Sequence, residues 1–322
     1  MSKMNMRKAY GEALLELGRE NEKIVALEAD LGKSTMSNMF GGEFPERYFQ
    51  MGIAQANMIS AAAGLALTGH VAYASTFAVF ASGRPYDQIR SSVAIPRLNV
   101  KICGSSAGLS DFGDGKTHQS VDDIAIMRVL PNMKVFSPAD YYETKKIVKA
   151  MAEIDGPCYI RVNRNDVPVV TDPDAPFEFG KVKVMKDGAD VVIYATGFMV
   201  YQSLEAAKLL EAEGISAKVV NVATIKPLDC EGVTAAAKGM KAAITVEEAS
   251  IIGGLGDAVL EALAAGPADS RVRTLRVGIQ DCFGTSAQKY DELLVEYHLT
   301  CPIRFQSGCR CKCSKTEKCL RQ

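Results

Sequence analysis

No apolar run in the sequence approaches the ~18 residues that a membrane-spanning helix needs. The N-terminus also lacks the charged-then-apolar order of a signal peptide. The body carries no large basic block, and 37 Lys and Arg against 38 Asp and Glu leave a formal net charge of -1. These absences give no reason to expect a membrane surface or nucleic acid as partner, and they leave the cytoplasm as the default location. No internal repeat occurs at solenoid periods. Histidine is scarce, occurring only at His70, His118 and His298. Within the body, cysteine is limited to Cys103, Cys158, Cys230 and Cys282, scattered singly as small buried or inert residues would be.

What is present is an ordinary soluble composition, 48% hydrophobic and 23% charged over 322 residues, enough for two domains. Helical and strand patterns alternate, which predicts two three-layer α/β domains with mostly parallel sheets. The spacing predicts a helix over Arg7 to Arg19, a strand over Lys23 to Leu27 and a small-residue helix from Gln55 to Leu67. Strand Val71 to Ser75, helix Phe77 towards Val93, strand Asn99 to Cys103 and strand Lys134 to Phe136 follow. Helix Tyr142 to Ile154 and strand Cys158 to Val162 complete a first domain over 1–166. Asp and Pro dominate the next stretch, a linker over 167–179. A second α/β unit over 180–300 then opens with strand Asp190 to Ala195 and helix Tyr201 to Glu213. The last 22 residues hold Cys301, Cys309, Cys311, Cys313 and Cys319 among basic side chains. C-x-C-x-C lacks the paired knuckles of structural zinc sites, so this tail is expected to be disordered, and a changed reading frame near Thr300 would give such a composition.

Phe112-Gly113-Asp114-Gly115-Lys116-Thr117-His118-Gln119 is the most informative stretch. A histidine on a glycine-rich loop after a strand can present its imidazole to a cleft, although spacing alone favours a solvated surface turn. Phe77 and Phe80 stand three apart on one predicted helical face, a spacing more often found in a core than in a ligand platform. Asp30 and Ser34 flank a turn after a strand, a common place for ligand contacts in α/β sheets. Arg161 and Arg164 close another strand, where a planar guanidinium suits phosphate, or simply solvent.

Taken in order, these stretches resemble the transketolase family, specifically its pyrimidine-binding and C-terminal domains. The order is EAD-L-x-x-S, GIA-x-x-NM, STF-x-x-F, DG-x-THQ and R-x-x-R before VP, followed by ATG, TIKPLD and TVEEASIIGGLG. The resemblance covers roughly residues 4 to 300. It implies thiamine diphosphate as cofactor, with the pyrophosphate and Mg²⁺ bound in a domain that this sequence has no candidate for. A partner N-terminal subunit is therefore implied, in an assembly of two copies of each chain. By the same resemblance Phe77 and Phe80 flank the aminopyrimidine, with Asp30 close to the cofactor. His118 faces the sugar oxygens and moves protons, Asp114 bonds a donor hydroxyl, and Ser34 and Arg164 bind the phosphate. No metal ligand is implied in this chain: Asn132 follows Gly113-Asp114-Gly115 too closely for the family's magnesium motif. The implied reaction transfers a two-carbon ketol unit between a ketose phosphate and an aldose phosphate, the cofactor ring acting as electron sink.

Three positions depart from the family's pattern. The GIA motif is normally followed by glutamate, which exchanges a proton with the pyrimidine ring; here the residue is Gln55. A carboxamide hydrogen-bonds but does not titrate. No Asp or Glu lies within six residues of Gln55, and the nearest is Glu46. Ser106 and Ala249 stand where many relatives place histidine. The expectation is a transketolase subunit. The alternatives are an altered or engineered form, a cofactor-binding or regulatory paralogue, and a 2-oxo acid dehydrogenase beta-like subunit. The DG-x-THQ loop argues for transketolase, and Asn57 stands where deoxyxylulose phosphate synthase usually carries histidine.

Overall fold

Mostly apolar runs such as Ile24–Glu28 and Cys158–Val162 are buried at every residue in the computed structural model, which describes residues 1–300. Runs of this kind belong to a parallel sheet covered on both faces. The expectations for the Cys301–Gln322 tail lie outside the described residues. The strands are β1 (Lys3–Asn5), β2 (Ile24–Glu28), β3 (Tyr48–Gln50), β4 (Val71–Phe77), β5 (Val100–Ser105), β6 (Lys134–Phe136) and β7 (Cys158–Val162). After β8 (Asp166–Pro168) come β9 (Lys183–Lys186), β10 (Val191–Ala195), β11 (Ala217–Asn221), β12 (Thr224–Lys226), β13 (Ala242–Ser250) and β14 (Thr274–Ile279).

The first large sheet runs β12-β6-β7-β5-β4-β2-β3 and the second β14-β13-β10-β11-β9, both covered by helices, with β1 and β8 forming a small two-stranded sheet apart. Alternate residues of β2 divide between two cores. Ile24 and Ala26 pack with Tyr10, Leu14, Ile147 and Val148, from helices Met6–Glu20 and Tyr141–Glu153. Val25 and Leu27 pack with Met58, Ile59 and Ala62 of helix Gln55–Leu67. Among the described residues no helix is long and apolar enough to cross a membrane.

The helix expected from Phe77 towards Val93 is broken. Phe77 is the last, extended residue of β4, a helix covers only Ala78–Ser82, and a second short piece begins at Tyr86. Gly83 and Pro85 lie between them, and proline removes a donor and pushes its predecessor out of helical geometry. Because β4 runs on through Phe77, only Phe80 lies on the short helix, and the two rings do not share one helical face.

The Asp- and Pro-rich stretch is tied down at several points. β8 pairs antiparallel with β1, and buried Asp140 accepts the N–H groups of Val170 (2.7 Å) and Thr171 (2.6 Å). β12, from the second α/β unit, pairs antiparallel with β6 and so extends the first unit's sheet.

Candidate active site

The chain runs from β2 to its neighbour β3, then back across β2 to β4 on the other side. Such a reversal opens a crevice outside the carboxyl ends of the two strands, the usual ligand position in an open α/β sheet. Phe77 ends β4 at this crevice, and the loop carrying Asp114 and His118 follows β5.

Three rings meet there. Phe77 and Phe80 lie nearly parallel, at 19° with centroids 6.2 Å apart. His118 turns its edge to both, 5.3 Å from Phe80 and 6.4 Å from Phe77. The Arg84 guanidinium lies 4.1 Å above the Phe80 ring centre, a cation–π contact. It also donates to Gln55 Oε1 at 3.3 Å. Gln55 is the first residue of its helix and is 3% exposed.

Charged groups close the other side. The Arg164 guanidinium lies 5.9 Å from the Phe77 ring centre and pairs with Asp111 at 2.7 Å and with exposed Asp114 at 3.9 Å. Burial raises the Asp111 carboxyl above its ordinary value, with Arg164 opposing, and the other oxygen of Asp111 is buried without a partner. Arg7 donates to the Ser34 carbonyl at 3.0 Å, and burial and the nearby Arg164 charge push its guanidinium down. Two arginines, Ser34 and Asp111 therefore share one corner. Asp30 is exposed, in the left-handed region at φ 59°, and its N–H donates to Gln50 Oε1. Beneath it, buried Glu28 accepts the Leu31 N–H at 2.6 Å and a bond from the Gln50 amide.

The structure thus brings Gln55, Phe77, Phe80, His118, Asp114 and Arg164 into one crevice. Ser34 joins through Arg7, while Asp30's bond to Gln50 leaves it at the rim. The sequence reading missed Arg7, Arg84 and Asp111. Nothing marks Arg7 in the sequence, since it opens a helix far along the chain from Arg164. Arg84, between Gly83 and Pro85, carried at least the signal of a break.

The family model described as the transketolase pyrimidine-binding domain matches residues 2–170, and the transketolase C-terminal domain matches residues 180–302. The chain belongs to the transketolase family. It is 49% identical over 296 residues to a protein of Methanocaldococcus jannaschii described as a transketolase C-terminal section, covering 91% of this chain and 92% of that one. It is 41% identical over 279 residues to the 6-deoxy-6-sulfo-D-fructose transketolase subunit of Clostridium sp. (strain MSTE9), covering 87% and 86%. A solved split-gene transketolase, in an inactive beta4 tetramer, superposes with a TM-score of 0.83 at 48% identity, over 94% of this chain and 96% of that one. The chain is therefore similar to the C-terminal part of transketolases split into two subunits.

The transketolase family implies thiamine diphosphate, and this crevice can be tested against it. Near-parallel phenyl rings and a buried amide suit the flat, hydrogen-bonding aminopyrimidine. The hydroxyls of Thr76, Ser105 and Ser106, at the ends of β4 and β5, are buried without partners. Unpaired buried polar atoms at a strand-end crevice are what a missing polar ligand leaves behind. The pyrimidine end therefore fits. Proton exchange at position 55 does not, because an amide has no proton to give at neutral pH.

Proposed function

We propose that this chain is the C-terminal subunit of a two-subunit transketolase that moves a two-carbon ketol unit from a ketose phosphate to an aldose phosphate. The convergence of His118, Asp114 and the Arg7–Arg164 pair beside two phenyl rings carries this reading. When bound, the cofactor supplies the electron sink for carbon–carbon bond cleavage. Phe77 and Phe80 hold the pyrimidine ring by stacking, and the Gln55 amide hydrogen-bonds its edge. His118 moves protons at the sugar oxygens, Asp114 orients a donor hydroxyl, and Arg164, Arg7 and Ser34 hold the phosphate. Asp30 closes the rim beside the cofactor. A partner N-terminal subunit holds the pyrophosphate and Mg²⁺, in a tetramer of two copies of each chain.

A second reading is a subunit that binds the cofactor without turnover, and Gln55 favours it. Loss of a general acid-base group costs about 10²- to 10⁴-fold. The test is ketol transfer by this chain co-expressed with an N-terminal transketolase subunit. Measurable turnover in the wild-type complex, rising about 100-fold or more in Gln55→Glu, supports the first reading. Turnover only in Gln55→Glu supports the second, and turnover by the isolated chain would refute the need for a partner.

A further inference from the structure

The loop that carries Asp111, Asp114 and His118 rests on the second domain along most of its length. The Leu109 N–H donates to Glu248 Oε1 at 2.7 Å, and the Ala287 N–H donates to the Phe112 carbonyl at 2.9 Å. Gln119 Nε2 reaches the Thr285 carbonyl at 2.9 Å, and the Ser250 N–H donates to the Val121 carbonyl at 2.6 Å. Gly108 has φ +65°, and a Cβ there would lie 2.6 Å from Glu248 Oε1. Only a glycine lets the loop approach that carboxylate so closely.

Glu248 also reaches the other half of the Arg164–Asp111 pair. Its second oxygen accepts from the Tyr290 hydroxyl at 2.6 Å, and that hydroxyl accepts from Asn163 Nδ2 at 2.9 Å. The Asn163 carbonyl oxygen of the side chain receives the Asn165 N–H at 2.8 Å, across Arg164. Ser110, next to Leu109, receives the Arg164 N–H on its hydroxyl at 3.2 Å. The Glu248 backbone carbonyl in turn accepts from Arg161, whose guanidinium is paired with Asp123. One buried carboxylate therefore fastens the backbone on both sides of the ion pair that borders His118. A buried carboxylate is a poor source of stability compared with apolar packing, so its value here is positional.

We propose that Glu248, from the second domain, is a positioning residue for sugar-phosphate binding. It sets where Arg164 and the His118 loop stand in the crevice of the first domain. The inference rests on the sugar-phosphate reading above, and its test has one arm that does not. In the isolated chain, Glu248→Ala speeds amide hydrogen exchange at Leu109 and its neighbours by about tenfold or more, because the carboxylate acceptor is gone. In the assembled enzyme, Glu248→Ala raises KM for a phosphorylated aldose acceptor about tenfold, while KM for unphosphorylated glycolaldehyde stays within about twofold. Glu248→Gln keeps an acceptor for the Leu109 N–H and restores KM to within about threefold of wild type. Unchanged exchange at Leu109, or equal KM losses on both acceptors, overturns the proposal. If Glu248→Ala does not fold, Glu248→Asp draws the carboxylate back from the Leu109 N–H and is expected to shift the same two readouts in the same direction. A wild-type complex with no ketol transfer defeats the functional reading alone, and the exchange arm still decides Glu248.

Discussion

At position 55 an amide and a carboxyl would meet Arg84 differently. The Gln55 carbonyl oxygen takes a bond from Arg84, which leaves the amide N–H₂ as the end free to act as a donor. A carboxyl in that 3%-exposed position would be pushed up by burial and pulled down by the guanidinium. Such opposing influences can hold a group near the pH at which it must exchange protons, and a carboxamide gives them nothing to act on. Arg7 shows the complementary case of a charge held against a like charge. Arg7→Ala removes a cation of the proposed phosphate site and also the repulsion that Arg164 feels, so the two effects partly offset. KM for a phosphorylated substrate is expected to rise about tenfold, or about 1.4 kcal/mol, with kcat nearly unchanged. Steady-state kinetics on the assembled enzyme measure this, and an unchanged KM would remove Arg7 from the site.

Among the elements, helix Tyr141–Glu153 and the connecting stretch depend on one side chain. Asp140 caps the helix by accepting the Glu143 N–H at 3.1 Å. The same carboxylate takes the N–H groups of Val170 and Thr171 and the Thr171 hydroxyl at 2.7 Å. Asp140→Ala loses the cap and strands several buried donors. Unfolding by urea is expected to show a loss of about 3 kcal/mol or more, with Asp140→Asn losing less. At this scale the sequence was most informative. Helix Gln55–Leu67 and strand Cys158–Val162 have the predicted bounds, because each is a mostly apolar run ended by breakers, and the short strand Lys134–Phe136 was bounded by Pro131 and Pro138 on either side. The short strands Tyr48–Gln50 and Thr224–Lys226 were not legible, since three residues carry no period.

Across the whole molecule, buried carboxyls stand where the two domains meet. Glu143 accepts the Ala139 N–H at 2.6 Å and Asn221 Nδ2 at 2.8 Å, joining the first domain to β11 of the second. Burial raises Glu143, Glu247 and Glu248 from an ordinary 4.5 to about 7. Between those values the folded chain keeps protons that the unfolded chain releases, so stability falls as pH rises. The slope is about 1.4 kcal/mol per pH unit for each such carboxyl. Half-buried Glu16, which burial raises but its Lys145 and Lys149 partners lower on balance, acts below that window. Urea midpoints at pH 5 and pH 7 measure the loss, and Glu143→Gln is expected to reduce it by about 2 kcal/mol. An unchanged pH slope in that variant would show Glu143 to be ionised in the folded state.

The sequence by itself determined the alternation of elements, the two-domain α/β class, the family and the missing carboxyl at position 55. Each is written in local periodicity or in residue identity, which no packing can change. Only the tertiary structure decided that Arg7 faces Arg164, that Arg84 holds Gln55, and that Glu248 fastens the His118 loop. Those contacts join residues 29 to 157 positions apart. Sheet order and domain docking make them neighbours, and no pattern within either segment carries that information.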